Sequence, residues 1–122
     1  MSRDEGRALA GKLFAGAPPA KGVHTSLMVH TIDHLFGGVW QEPGLTTEQR
    51  SLITCTVLVA TGRESEQVLH FRGARNLGIS RETLEAMITH VAHYAGWPVA
   101  VSAARVLSEV WDTMDAEEEA KK

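Results

Sequence analysis

The stretch R-S-L-I-T-C-T-V-L-V-A-T-G-R-E-S-E-Q-V-L-H-F-R-G-A-R-N-L-G-I-S, residues 50–80, decides the fold. From Leu52 to Ala60 it is apolar almost all round, which is the pattern of a buried central helix. Thr46, followed three residues later by Gln49, supplies a capping-box signature at its start. Past Gly62 the spacing predicts another helix from about Ser65 to Asn76, and Gly78 stands where a left-handed C-cap belongs.

Working outward, Ser80 caps a further helix that ends at Gly96, and Pro98 falls in the first turn of the last one. Upstream, Leu9 and Leu13 lie one turn apart in a helix from about Asp4 to Phe14, which Gly16-Ala17-Pro18-Pro19 stops. Leu27, Met28, Ile32 and Leu35 mark another over about Thr25 to Phe36, ended by Gly37-Gly38. No alternating strand pattern stands out. The expectation is a single all-α domain of about six helices over residues 1–122, with residues 115–122 a frayed acidic tail.

Length and composition agree with one domain. A chain of 122 residues buries roughly two-thirds of its unfolded surface, enough for a core without staples. A net charge of −3 and the absence of a basic run give no case for nucleic-acid binding. The one cysteine, Cys55, excludes an internal disulfide and any CxxC pair. The start Met1 to Arg7 has no apolar signal-peptide core, and Val57 to Ala60 is far too short to span a membrane, so a cytoplasmic location is expected. Trp97, Val99, Val101, Val110 and Trp111 make the last helix apolar around much of its girth. That pattern suits an oligomer interface or, alternatively, a fully buried helix.

Chemistry concentrates on the helix of residues 65–76. Glu66 and His70 lie four apart and share a face. A carboxylate one turn from an imidazole can fix its tautomer, which suits a proton donor or shuttle; the plainer reading is a solvated ion-pair face. Arg50, in the first turns of the central helix, is a candidate for holding a substrate carboxylate. Arg72, two past His70, points elsewhere on a straight helix. His90 and His93 could line a pocket opposite His70, if their helix is its antiparallel neighbour. His30 and His34 have metal-ligand spacing, but neither Asp33 nor His24 makes a compelling third ligand, so no metal site is assigned.

G-x-x-W-x-x-P-G-L (Gly37 to Leu45), R-S-L-I-T (Arg50 to Thr54), E-x-x-x-H-x-R-x-A-x-N-x-G (Glu66 to Gly78) and Y-A-G-W-P (Tyr94 to Pro98) occur in order, after an early D-E-G-R-A-L (Asp4 to Leu9). Together they resemble the carboxymuconolactone decarboxylase family over nearly the whole chain. The resemblance implies an all-helical, alkylhydroperoxidase-D-like fold and homo-oligomers built from dimers, commonly hexamers. It also implies cofactor-free decarboxylation of a lactone carboxylate to an enol lactone and CO2 in aromatic-compound catabolism. Its site residues would be His70 as proton donor or oxyanion partner, Glu66 orienting it, and Arg50 or Arg72 as the anion-binding cation. Trp40, His93 and Trp97 would then line the substrate site. The partner is a small anionic or lactone substrate.

Departures bear on that substrate. Gly38 and Glu42 stand where the decarboxylases carry Asp and Arg, and Leu77 and Ser102 replace asparagines, which favours a more neutral or differently shaped substrate. Thiol peroxidases of the same fold carry C-x-x-C where this chain has Arg63 and Glu66, so that chemistry is disfavoured. A non-catalytic binding or assembly module is the alternative to an enzyme.

Overall fold

The computed structural model describes residues 3–18, 21–22 and 25–122, so His24 and Pro19 fall outside it. Its described residues form six α-helices and no strand: α1 (Arg3–Leu13), α2 (Thr25–Val29), α3 (Thr47–Ala60), α4 (Glu64–Asn76), α5 (Arg81–Ala95) and α6 (Trp97–Ala120). The local signals are realised as written. Thr46 Oγ1 accepts from Gln49 N–H at 3.0 Å while Gln49 Oε1 accepts from Thr46 N–H at 2.9 Å. Ser80 Oγ accepts from Thr83 N–H at 3.1 Å. Gly78, with φ +89°, turns the chain out of α4.

α3 and α4 are an antiparallel pair whose register is set by two side chains. Gln67 Nε2 donates to the Leu58 carbonyl at 3.0 Å, and the Cys55 thiol donates to the His70 carbonyl at 3.4 Å. α4 packs further against α6 and α1, while α5 lies against α6 and α3. The larger core draws on α3 to α6 through residues such as Val59, Phe71, Leu84, Ile88, Ala103 and Leu107. α3 is less enclosed than its composition predicts. Ser51, Cys55 and Val59 are buried, but Ile53 and Val57 on its outer face are 48% and 54% exposed. α6 likewise buries one side and leaves Trp97, 59% exposed, and Val101 facing outward.

The amino-terminal layer has a second, smaller core of Leu13, Phe36 and Trp40, flanked by Leu9, Phe14 and Leu77. Here the expected single helix from residue 25 to residue 36 divides. α2 continues as π-helix over His30–Phe36, where Gly37 N–H bonds to Ile32 C=O at 2.8 Å. A 3₁₀ turn, Val39–Gln41, follows. α1 lies directly on the widened segment. Gly6 is buried, and a Cβ there would run into the carbonyl oxygen of Ile32.

The acidic end of the chain is a second correction. It does not fray at residue 115; α6 continues to Ala120 and pins α4. The Arg72 guanidinium forms two parallel bonds to the Glu117 carboxylate, at 2.8 and 2.7 Å. Arg75 pairs with Asp115 at 2.7 Å and Glu118 at 3.2 Å, and lies over the Trp111 ring at 5.0 Å.

Two outcomes follow from this packing. Gly6→Ala forces backbone against backbone and is expected to lower stability by about 1–3 kcal/mol, seen as a lower denaturant midpoint at unchanged m-value. The hydrogen bonds from Arg72 hold the Glu117 carboxyl below its ordinary range. Its contribution is therefore complete above the unfolded carboxylate pKa of about 4.3 and is lost as pH falls through the lower folded value. Glu117→Gln should melt earlier than wild type at neutral pH, and the gap should close as the buffer is acidified; a gap constant with pH contradicts this.

Candidate active site

His70 sits at the junction of α4 with the amino-terminal layer. The Phe14 ring meets its imidazole edge-on at 5.4 Å. Phe14 contacts Phe36 at 5.6 Å, and Phe36 contacts Trp40 at 5.3 Å, so a chain of aromatic rings runs from the imidazole to the 3₁₀ turn. The imidazole is half-buried, and its Nδ1 is fully enclosed without a hydrogen-bond partner among the described residues. Burial pushes its pKa below the ordinary histidine value, so the ring is neutral near pH 7. The neutral imidazole has an aromatic wall and, among the described residues, no carboxylate hydrogen-bonded to it.

Glu66 does not supply that carboxylate. It is exposed, in the first turn of α4, and no hydrogen bond joins it to His70 among the described residues. Its fully buried neighbour, Gln67, carries no charge that would suggest chemistry in the sequence. Burial was the missing signal, and only the position of α3 reveals it. Gln67 Oε1 and the Ser51 hydroxyl, both enclosed at the α3–α4 seam, also lack partners among the described residues. Thr54 and Thr56, by contrast, bond back to carbonyls of their own helix at 2.8 and 2.7 Å.

The two arginines separate. Arg50 is partly buried; its Nη2 donates to the Glu42 carbonyl at 2.9 Å, while its enclosed Nε has no partner among the described residues. It keeps donor capacity for an anion. The Glu42 side chain is exposed, and its backbone is what braces Arg50. Arg72 has no such freedom, because its guanidinium is engaged by Glu117 on α6. Its sequence assignment as an anion-binding cation gives way to a structural role.

Trp40 is buried at the end of the aromatic chain. His93 and Trp97 meet each other edge-on at 5.1 Å, and His93 Nδ1 bonds to the Thr89 carbonyl at 2.8 Å, with His90 stacked on Tyr94 nearby at 4.9 Å. This exposed corner joins α5 to α6, and α5 is a neighbour of α3 and α6. His90 and His93, read in the sequence as lining a pocket opposite His70, sit with Trp97 at this exposed corner. His30 and His34 both fall, exposed, on the π-helical segment. Cys55 is fully buried, and desolvation pushes its thiol up to about 12. It is an inert packing group.

The sequence matches the profile of the carboxymuconolactone decarboxylase family over residues 27–109. It is 41% identical over 76 residues to 4-carboxymuconolactone decarboxylase of Acinetobacter baylyi, covering 62% of this chain and 57% of that protein. It is 35% identical over 79 residues to nitrosuccinic acid decarboxylase of Metarhizium robertsii, covering 65% of this chain and 55% of that protein. The matched region thus spans little more than half the length of either relative. With its helical fold and the histidine-bearing α4 inside the matched region, the chain belongs to the carboxymuconolactone decarboxylase family.

Proposed function

We propose that the protein is a decarboxylase of a small carboxylic acid, with His70 handling the proton. The observation that carries this reading is the half-buried, neutral imidazole of His70, walled by Phe14 and without a charge partner among the described residues. The relatives' names support the reaction class. A carboxymuconolactone and a nitrosuccinic acid each carry a carboxylate on a skeleton with its own electron acceptor, a conjugated lactone in one and a nitro group in the other. When the C–C bond to the carboxylate breaks, CO2 leaves and the electron pair moves onto that acceptor. The carbanion equivalent then takes one proton at carbon. No cofactor is needed for such a sequence, and the protein's part is to bind the anion, stabilise the developing oxyanion and return the proton.

The residues divide that labour. Arg50 holds the substrate carboxylate through the side of its guanidinium not engaged by Glu42. A bound anion beside His70 favours the imidazolium, so the proton arrives with the substrate and is delivered once CO2 has gone. Trp40 and the phenylalanines exclude water from one wall. Gly38 and Glu42, in place of the Asp and Arg of the resemblance, support a more neutral or differently shaped substrate than the carboxymuconolactone. The enclosed, high-pKa thiol of Cys55 disfavours peroxidase chemistry.

Self-association belongs to the same proposal: the outward Ile53 and Val57 of α3, with Trp97 and Val101 of α6, support a homo-oligomer, dimer-based and hexameric at its largest. No helix of the described residues is long and apolar enough to cross a membrane, and a cytoplasmic location is the reading that accompanies this.

The decisive experiment screens small carboxylic acids bearing a lactone or nitro group for CO2 release, with γ-carboxymuconolactone as the first member. His70→Gln should reduce turnover by about 10²–10⁴-fold, with helical content and oligomeric state unchanged. A fully active His70→Gln variant removes the assignment. Arg50→Gln should raise KM more than it lowers kcat, since the anion contact is made before and during the reaction.

A further inference from the structure

Two enclosed polar atoms without partners among the described residues lie three positions apart on α4, Gln67 Oε1 and His70 Nδ1. Residues so spaced share a helix face, and long side chains lean back toward the helix amino terminus. The ring at position 70 thus leans over the turn that carries Gln67. Which end of the Gln67 carboxamide is oxygen follows from the Leu58 carbonyl at 3.0 Å, which can only accept and so meets the NH2 end. The other end is an acceptor in a fully buried side chain. His70 Nδ1 can meet that requirement as a donor.

The alternatives around the ring are weaker. Glu66 is exposed, and Phe14 presents no acceptor. The Ser51 hydroxyl belongs to a different level of the seam. With residue 58 opposite 67 and residue 55 opposite 70, Ser51 faces the turn of Ala74, on the side away from which the ring leans.

We propose that Gln67 is the positioning residue of His70: its Oε1 accepts the Nδ1 proton, directly after a small rotation of the ring or through one internal water. The ring is thereby held as the Nδ1–H tautomer, and Nε2 is the atom that takes up a proton and returns it to the substrate. This rests on the assignment of His70 as the proton-handling group. It gives Gln67 the role that spacing suggested for Glu66, with one difference in chemistry. A neutral carboxamide orients the imidazole without storing charge beside it, so the ring stays neutral until an anion enters.

The test needs no substrate. Imidazole ¹⁵N resonances of the full chain are recorded at neutral pH, with the His70 signals identified by their loss in His70→Gln. The wild type should show a protonated Nδ1 and an unprotonated Nε2. Gln67→Glu keeps the acceptor and should keep Nδ1 protonated, whereas Gln67→Met removes it and should shift the ring toward Nε2–H. A wild-type ring already in the Nε2–H form overturns the proposal, as does a Gln67→Met spectrum unchanged from wild type. If Gln67→Met does not fold, the wild-type tautomer alone decides. Turnover of His70→Gln reports separately on the function, so failure of one reading is distinguishable from failure of the other.

Discussion

The seam between α3 and α4 is the constraint on which the remaining geometry depends. A buried carboxamide, Gln67, grips the backbone of α3 at Leu58, and a buried thiol, Cys55, grips the backbone of α4 at His70. The Leu58 carbonyl, in the last turn of α3, also accepts from Arg63 N–H at 2.9 Å, so its two lone pairs tie α3 to the start of α4 and to Gln67. Both side chains are fully enclosed, where an unmade polar contact is far more expensive than a made one is stabilising. Sliding one helix past the other would break both at once. The level of His70 along the bundle is therefore fixed by residues that are not themselves reactive, and the amino-terminal layer can dock its phenylalanine against a ring whose height is already set.

That layer is attached by shape more than by charge. Gly6 lets α1 rest on the π-helical segment, and Leu13 rests on Gly73 of α4, two places where the absence of a side chain brings backbones close. Asn76 then bonds to the carbonyls of Leu13 and Ala15, at 2.9 and 3.2 Å, satisfying the end of α1. Arg72 and Arg75 of α4 bind the acidic end of α6, and the Arg72 guanidinium also lies against Gly16 beyond the end of α1. One helix thus presents an imidazole against Phe14 and cations toward α6.

The legibility of all this in the sequence follows the range of the interactions involved. Caps at Thr46, Ser80 and Gly78 are settled within a few residues, and their helices begin and end where the pattern places them. The π-helical winding of His30–Phe36 was not legible, because it accompanies the close approach of α1, a contact from another part of the chain. The partner of Arg72 lies 45 residues away, in a run of glutamates that by composition reads as solvated tail. Glu66 and Gln67 differ by one position. Spacing allows either to share a face with His70, and only the placement of α3 buries one and exposes the other. His70 was singled out by motif, while its environment was not foreseeable.

The enclosed thiol of Cys55 has a further use as a chemical clock. Its hydrogen bond crosses the seam that fixes His70, and it has no route to solvent while that seam is closed. An alkylating reagent can therefore reach it only in molecules whose core around α3 has opened, and each chain takes a single label. The rate of labelling in native buffer becomes a reading of how far the core around α3 opens.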